Sequence, residues 1–190
     1  GYLSASIEWA KNKGYENAWE EFWKSEVATH YYAHGKDNII FHTIIWPAML
    51  MAYDKNLRLP DYIVSSEYLT LEGKQFSKSR HWAVWVPEFL KKFNADSLRY
   101  HMIMAGPENS DADFSWQEYQ KRVNSELIGT FGNFVNRVLA FIKNNFPDGM
   151  RLPEKLNKEQ KEFLGKAEKC FDLAGEAIAQ ARFREGLREI

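Results

Sequence analysis

The spacing of hydrophobic and polar positions changes several times along the first third of the chain. Aromatic residues at intervals of three and four predict a short amphipathic helix over residues 14–24. Two short runs, Thr29–His34 and Tyr62–Ser65, are typical of strands. The apolar run Ile39–Tyr53 between them predicts a buried helix kinked near Pro47. A strand, a helix and a second strand in this order predict a parallel sheet of the α/β class.

Gly35 and Asp37 directly follow the first of these strands. In a parallel sheet, ligands bind where strands end and helices begin. The Asp37 carboxylate is therefore a candidate to accept hydrogen bonds from the vicinal hydroxyls of a ribose. Asp37 also stands where a helix N-cap belongs, and an Asp cap is an ordinary structural role. The spacing leaves both interpretations open.

The middle of the chain combines one short strand with helix signals. The alternating residues Tyr68–Leu71 predict a strand, and Pro87 stands at a position typical of a helix start. Asn94 predicts the cap of a helix over residues 95–104, which the Gly-Pro pair that follows should end. The polar residues 108–113 predict a linker or a loop between modules.

The pattern is helical in the rest of the chain. Ser115 and Glu118 have the spacing of a capping box, which predicts the start of a long helix. Helix signals continue to the C-terminus with an interruption at Pro147. We therefore expect an α/β part followed by an all-α part, and we predict three segments: residues 1–66, 67–114 and 115–190.

The long helix has an apolar face and a polar pair. At about 100° per residue, six apolar residues fall within roughly a quarter of its circumference, which predicts a buried stripe: Val123, Leu127, Phe131, Phe134, Val138 and Ile142. Asn133 and Arg137 are neighbours on another face. Such a rigid pair can present donors and an acceptor to the edge of a nucleic-acid base. Two ordinary surface residues would show the same spacing.

Composition narrows the class of protein. The 190 residues include 25 basic and 26 acidic side chains, and the net charge of -1 argues against a wholly electrostatic nucleic-acid binder. The longest apolar run, Ile39–Ala52, is too short to span a membrane, so we expect no membrane contact. The single cysteine, Cys170, allows no internal disulfide and fits the cytoplasm, where we expect the protein.

The loop FSKSR, Phe76–Arg80, precedes a Trp-Ala-Val-Trp run by one residue. A solvated surface loop is the simpler interpretation, since serine and lysine are common at surfaces. Hydroxyls, a mobile ammonium and exposed backbone N–H groups also suit a phosphate whose charge changes during a reaction. Ser77, Lys78 and Ser79 are therefore candidate phosphate-binding residues.

His42 and Trp46 lie one helical turn apart in the apolar run. A core histidine bonded to the backbone is the ordinary explanation. Together the two residues could also form the wall of a pocket for a small apolar side chain, with the imidazole as its polar group. GxGxxG, GxxxxGK[ST], HExxH and CxxC motifs are absent, and we predict no metal site in the chain.

Five strings of residues form a specific pattern: GYLSAS, HGKDNIIFHTIIWPAMLM, EYLTLEGK with the FSKSR loop, FNADSLRYHMI and WQEYQKRVNSELIGTFGNFVNRV. They resemble the methionyl-tRNA synthetase family of class I aminoacyl-tRNA synthetases over roughly the first three quarters of the chain. The resemblance implies the second half of a Rossmann-like catalytic domain, a connector that carries the FSKSR loop, and an α-helical anticodon-binding bundle.

The resemblance implies two groups of binding residues in the first segment. Tyr2, His42 and Trp46 match the methionine pocket of the family, with the tyrosine and histidine near the thioether sulfur and the tryptophan beside the side chain. Gly35 and Asp37 match residues that hold the ribose of ATP.

The resemblance also implies a role for the loop. Leu69 matches a backbone contact with adenine. Ser77, Lys78 and Ser79 match the residues that stabilise pyrophosphate while the methionine carboxylate attacks the α-phosphate, and Lys78 is implied to bind ATP as well.

The implied activity is that of a methionine-tRNA ligase, which forms methionyl-adenylate from methionine and ATP and transfers the methionyl group to initiator and elongator tRNA(Met). Asn133 and Arg137 match residues that bind the CAU anticodon. ATP with Mg²⁺ is implied as a substrate, and zinc is expected in a part of the protein that precedes this chain. A non-catalytic tRNA-binding module or paralogue is the alternative.

Two departures from the family pattern are evident. Gln75 stands immediately before Phe76, where the family usually has lysine, and Lys74 lies one position earlier. The His-Ile-Gly-His type element and the zinc knuckle are missing from the chain. Because it begins at Gly1 without an initiator methionine, we interpret the chain as a piece of a longer protein and expect it to be inactive in adenylation by itself.

Overall fold

The computed structural model describes residues 1–150 and 153–190, and it combines helices with short strands. The chain forms two compact units, Gly1–Glu67 and Tyr68–Ile190. The division into three segments at residues 66 and 114 stays a prediction.

The first unit contains three α-helices, two strands and two short helical turns of other kinds. In chain order these elements are α1 (Tyr2–Asn12), α2 (Ala18–Trp23), β1 (Tyr31–Gly35), a 3₁₀ turn (Lys36–Asn38), a π-helical turn (Phe41–Ile45), α3 (Trp46–Tyr53) and β2 (Tyr62–Ser66). Strands β1 and β2 are parallel, with Tyr31 opposite Tyr62 and Gly35 opposite Ser66. The predicted strands and their parallel pairing are confirmed.

The helices of the first unit differ from the prediction at two points. The helix expected over residues 14–24 covers only α2, because Gly14 takes a positive φ of 75° that ends the preceding helix. That preceding helix, α1, was not predicted. The irregularity expected near Pro47 is the π-helical turn just before it, since proline has no N–H to donate to the preceding turn.

The apolar run Ile39–Tyr53 is not a buried helix in this chain. Only His42 and Leu50 within it are buried, and Leu50 joins a core cluster with Trp23 and Leu57. Most of its other apolar side chains are exposed, including Ile40, Ile44, Met49 and Met51. The pattern identified a helix, but hydrophobicity on every face of a helix does not ensure partners on every face.

The second unit begins with strands and ends with helices. In chain order its elements are β3 (Leu69–Leu71), β4 (Lys74–Gln75), α4 (Val86–Phe89), α5 (Ala95–Ala105), β5 (Ala112–Phe114), α6 (Trp116–Arg122), a π-helical segment (Val123–Gly132), α7 (Asn133–Asn145), α8 (Lys158–Ala179) and α9 (Phe183–Arg188). Its main core cluster contains Leu71, Phe89, Phe114 and Tyr119.

Strand β3 lies at the centre of the small sheet of the second unit. It pairs antiparallel with β4 and parallel with β5, with Leu69 opposite Ala112. The linker predicted over residues 108–113 is therefore wrong at its end, because Ala112 and Asp113 belong to β5. The Asp113 carboxylate accepts hydrogen bonds from the Thr70 hydroxyl and from the backbone N–H of Gly73. These bonds explain how a strand accommodates this charged side chain.

Both predicted helix caps of the second unit are confirmed. The side chain of Asn94 accepts a hydrogen bond of 2.7 Å from the backbone N–H of Asp96. The hydroxyl of Ser115 accepts one of 3.1 Å from the backbone N–H of Glu118. These bonds satisfy backbone donors that the first turn of each helix leaves unpaired.

The long helix contains a π-helical segment of 10 residues between α6 and α7. Its i→i+5 hydrogen bonds lower the rotation per residue, so a wheel drawn at a constant angle fails across it. A Cβ at Gly129 would lie 2.8 Å from the carbonyl oxygen of Asn124, five residues earlier, so this turn leaves no room for a side chain there. The predicted buried stripe is wrong in part: Val123, Leu127 and Ile142 are half-buried, whereas Phe131, Phe134 and Val138 are exposed.

Candidate functional site

Tyr2, His42 and Trp46 meet in the first unit although they come from different elements. Tyr2 begins α1, His42 belongs to the π-helical turn, and Trp46 begins α3. All three contribute to the wall of one cavity of about 590 Å³, which is lined by Gly1, Tyr2, Ala5, Asn38, Phe41, His42, Ile45, Trp46 and Met49. The residues assigned to methionine by resemblance therefore share one cavity.

Two hydrogen bonds fix the ring of His42. Its Nδ1 lies 2.9 Å from the carbonyl oxygen of Asn38, so Nδ1 carries a proton and donates it. Its Nε2 lies 2.9 Å from the hydroxyl of Tyr2. In the neutral ring Nε2 is an acceptor, and the Tyr2 hydroxyl donates to it.

Aromatic rings hold Tyr2 in place from the other side. Its ring centroid lies 5.8 Å from that of Trp46 and 5.6 Å from that of Tyr32, both in edge-to-face geometry. The indole N–H of Trp46 donates a hydrogen bond of 2.9 Å to the hydroxyl of Tyr32. Burial raises the pKa of Tyr32 above its ordinary value, although the bond from Trp46 opposes that shift, so this hydroxyl stays protonated at neutral pH. Tyr32 is buried in β1 and was not among the site residues predicted from the sequence.

His34 is a second residue that the sequence did not reveal. Its ring stacks on that of His42 with centroids 4.3 Å apart and an angle of 17° between the planes. Its Nδ1 lies 2.9 Å from the carbonyl oxygen of Gly35, while its Nε2 is buried and has no hydrogen-bond partner in the described part of the chain. The stack connects the end of β1 with the cavity.

A second cavity, of about 470 Å³, lies beside the first. It is lined by Tyr2, Ala5, Ser6, Trp23, Thr29, His30, Tyr31, Tyr32 and Ala33. Tyr2 and Ala5 line both cavities. The indole N–H of Trp23 donates a hydrogen bond of 2.9 Å to the Ser6 hydroxyl, which joins α2 to α1 at the lining of the second cavity.

The two residues assigned to the ribose lie at the carboxyl end of β1. Gly35 is its last residue and the extended N-cap of the 3₁₀ turn that follows. Asp37 is exposed inside that turn and does not occupy its N-cap, so the capping interpretation of Asp37 is wrong. Lys36, between them, forms an ion pair with Glu67 just after β2, which ties the turn to the end of the neighbouring strand.

The FSKSR loop in the second unit is a small closed hairpin. Ser77 and Trp82 exchange two backbone hydrogen bonds of 2.9 Å, and the indole N–H of Trp82 donates to the carbonyl oxygen of Leu71 at 2.9 Å. Lys78 lies at the exposed tip; its carbonyl oxygen accepts a hydrogen bond from the backbone N–H of His81, whereas its ammonium has no ion-pair or hydrogen-bond partner among the described residues. The hydroxyls of Ser77 and Ser79 lie 3.3 Å apart. The loop therefore presents an ammonium and two hydroxyls from a rigid base.

Leu69 and the polar pair on the long helix also lie in the second unit. Leu69 is the first residue of β3, and its side chain packs against the core cluster. Asn133 and Arg137 lie on successive turns of α7, and both are exposed. Neither side chain forms a hydrogen bond or an ion pair within the described part of the chain.

The described residues form neither a metal-binding cluster nor a membrane-spanning helix. Within residues 1–150 and 153–190, no three His, Cys, Asp or Glu side chains are grouped in a way that could hold a metal ion. Among the helices in those ranges, none combines the length and the apolar character needed to cross a bilayer.

Comparison with known proteins gives a consistent result. Residues 1–139 match the family model for tRNA synthetases class I (M). The chain is 45% identical to a methionine–tRNA ligase of Chloroflexus aggregans and 47% identical to one of Bacillus cereus. Each match covers 100% of the chain and 34% of the relative, so the chain spans about a third of the length of these relatives.

The fold is similar to that of a solved synthetase. A crystal structure of Mycobacterium tuberculosis methionyl-tRNA synthetase bound by methionyl-adenylate matches with a TM-score of 0.72 and 24% identity, over 86% of this chain and 32% of that one. Family model, relatives and fold agree, and the chain belongs to the methionyl-tRNA synthetase family of class I tRNA synthetases.

Proposed function

We propose that this chain is part of a methionine-tRNA ligase, which joins methionine to tRNA(Met) in the cytoplasm at the expense of ATP. The observation that carries the proposal is the convergence of Tyr2, His42 and Trp46 on one cavity. In the proposed architecture, the first unit is the second half of a Rossmann-like catalytic domain. The FSKSR connector and the helical anticodon-binding bundle follow it.

The cavity suits a thioether side chain. Aromatic rings contact polarisable sulfur favourably, and Tyr2 and Trp46 present two of them. The proton of the Tyr2 hydroxyl is already donated to His42, so the site has no free donor there for a polar side chain. A substrate with a hydroxyl or an amide would lose hydrogen bonds to water without replacement, which disfavours it.

Gly35 and Asp37 are proposed to bind the ribose of ATP. Gly35 has a φ of −74°, and a Cβ added to it would meet no atom within 4 Å, so neither the backbone nor the packing requires glycine. Close approach of a ligand to the backbone would explain it. The exposed carboxylate of Asp37 then accepts from the ribose hydroxyls, and Leu69 contacts adenine through its backbone.

Adenylate formation requires charge neutralisation more than a protein nucleophile. A carboxylate oxygen of methionine attacks the α-phosphorus of ATP, and the bond from that phosphorus to the bridging oxygen of the β-phosphate breaks. Negative charge then grows on the leaving pyrophosphate, which Mg²⁺ accompanies. Lys78 stabilises it electrostatically, while Ser77 and Ser79 donate hydrogen bonds.

The tRNA is proposed to bind through α7. Asn133 and Arg137 offer an amide and a guanidinium from adjacent turns of a rigid helix, and neither is occupied by a neighbour. Such groups can hydrogen-bond to unpaired bases, as an anticodon loop presents them. The CAU anticodon of initiator and elongator tRNA(Met) is the proposed target.

The experiment that tests this function measures exchange of pyrophosphate into ATP by the complete protein that contains this chain. We expect exchange that depends on methionine and is at least ten times slower with leucine or with serine. A Trp46→Ala variant should raise the methionine KM, whereas Trp85→Ala, which removes an exposed indole of the second unit, should not. Binding of tRNA(Met) without any methionine-dependent exchange would instead establish a non-catalytic tRNA-binding module.

A further inference from the structure

The FSKSR loop lacks one positive charge that the family usually carries. Gln75 occupies the position immediately before Phe76, and a neutral amide cannot offset charge on a leaving pyrophosphate. Two basic residues flank this gap in the sequence, Lys74 before it and Arg80 after the two serines. The structure distinguishes between them.

Lys74 is held at the base of the loop. Its Nζ lies 5.0 Å from the ring centroid of Trp82, a cation–π contact. Trp82 itself is fixed by its backbone pairing with Ser77 and by its indole bond to Leu71. Successive residues of a strand point to opposite sides, so Lys74 and Gln75 in β4 cannot present their side chains to the same ligand.

Arg80 is the last residue of the loop, and its guanidinium is oriented toward the Ser77 hydroxyl. Its Nε donates a hydrogen bond of 3.2 Å to the Ser77 hydroxyl, which also accepts one of 3.3 Å from the backbone N–H of Arg80. The side chain is exposed and forms no ion pair with a described residue. The Ser77 bond uses only Nε, and the two terminal nitrogens of the guanidinium remain available. This is the geometry in which arginine binds phosphate oxygens in pairs.

We propose that Arg80 binds the leaving pyrophosphate and supplies the second positive charge that Gln75 cannot. This role rests on the proposed adenylation reaction, in which the bond between the α-phosphorus and the bridging oxygen breaks. Arg80 transfers no proton and remains a guanidinium throughout, so its contribution is electrostatic and steric. Ser77 orients it, which gives that serine a second function beside its contact with phosphate.

The test compares three variants of the complete protein with the wild type. Arg80→Ala removes the proposed cation, Lys74→Ala removes an equal charge at the loop base, and Arg80→Ala with Gln75→Lys restores a cation at the usual family position. Binding of magnesium pyrophosphate is measured by calorimetry, and single-turnover formation of methionyl-adenylate is measured by quenched flow.

We expect Arg80→Ala to weaken pyrophosphate binding and to slow adenylate formation by at least tenfold, with methionine affinity unchanged. Lys74→Ala should change pyrophosphate binding less than twofold, and Gln75→Lys should recover most of the loss in the double variant. Wild-type affinity in Arg80→Ala, an equal loss in Lys74→Ala, or no recovery in the double variant would overturn the proposal. A wild type without methionine-dependent turnover would refute the proposed function, yet the pyrophosphate affinities would still decide the role of Arg80.

Discussion

The hydroxyl of Tyr2 and Nε2 of His42 lie 2.9 Å apart although 40 positions separate the two residues in the sequence. This bond joins the first turn of α1 to the π-helical turn that precedes α3. The backbone carbonyl of Asn38 accepts the proton on Nδ1 of His42, so Nε2 is an acceptor and the Tyr2 hydroxyl donates to it. The Tyr2 hydroxyl therefore has no proton left to donate to a molecule in the cavity.

Replacing Tyr2 by Phe should weaken methionine binding. The change removes the donor to His42 and leaves Nε2 without its partner, while the ring and its contacts with Trp46 remain. We expect the methionine KM to rise by roughly tenfold, since a lost hydrogen bond to a partly buried group is worth about 0.5–1.5 kcal/mol. In addition, the aromatic ring at position 2 no longer has a hydrogen bond that holds it against His42. Steady-state exchange kinetics measure this.

Tyr62→Phe is the matched control for that variant. Tyr62 is a tyrosine of the same unit whose hydroxyl forms no hydrogen bond with the described residues, and its ring stacks on Tyr31 in β1. Its removal should leave the methionine KM unchanged. Equal effects of the two variants would show that the Tyr2 hydroxyl has no special part in binding.

Trp46→Phe should destabilise the fold as well as the site. It leaves the hydroxyl of Tyr32, a residue only 9% exposed, without the indole donor. A buried polar group without a partner costs about 1–3 kcal/mol, so we expect the free energy of unfolding to fall by that amount. Urea unfolding followed by circular dichroism measures it, with the exposed Trp85→Phe as the control. A midpoint equal to that of the control would contradict the hydrogen bond.

Arg137→Ala should remove discrimination between anticodons. If Arg137 contacts a base, wild-type protein will prefer tRNA(Met) over the same tRNA with an altered anticodon, and the variant will lose about 1–3 kcal/mol of that preference. Lys143→Ala removes a basic residue from the last turn of the same helix and should retain it. Equal, strongly salt-dependent binding of both tRNAs by all three proteins would indicate phosphate contacts alone.

His101 should make the chain less stable in mild acid. It is only 2% exposed, and burial, followed by the charge of Arg122, lowers its pKa below 6.5 against the opposing effect of Glu118 and Glu126. A group with a depressed pKa in the folded state contributes stability that is complete above its unfolded pKa and is lost as the pH falls through the folded one. We expect stability to fall below pH 6.5 by up to about 1.4 kcal/mol per pH unit.

His101→Gln should remove this part of the pH dependence, as urea unfolding at pH 5.0 to 7.5, values set by the unfolded pKa of His at about 6.5, would show. His81→Asn is the control, because His81 is exposed and its positive φ of 52° suits asparagine. The control should keep the slope of the wild type. If His101→Gln keeps it as well, the acid sensitivity arises elsewhere.

Local features of the fold were predictable from the sequence. The caps at Asn94 and Ser115 depend on side chains that bond within their own first turn, and both are present. The parallel strands β1 and β2 followed from the order of elements. Strand β5 was missed because the polar residues around it are typical of a loop. It forms a strand because it pairs with β3, which lies more than forty residues earlier in the sequence.

The candidate site was predictable only in part. The resemblance named Tyr2, His42 and Trp46, and the structure places them around one cavity. Tyr32 lies outside the strings that carry the resemblance, and His34 opens one of them without an implied role; the contacts of both residues are made across the fold. The prediction of the apolar stripe failed in part because neither the π-helical segment nor α7 contains a buried residue, and because the wheel assumed a constant helical angle that a π-helical segment does not keep.

The π-helical segment between α6 and α7 sets the rotation of one helix relative to the other about the helix axis. Each of its turns holds more residues than an α-turn, so the azimuth of everything after Gly132 is offset from that of everything before Val123. The direction in which the side chains of Asn133 and Arg137 point thus depends on the π-helical segment, which contains neither residue. Deleting one residue there would swing the pair around the helix axis by about 100°, and would redirect the helix surface without altering a single side chain on it.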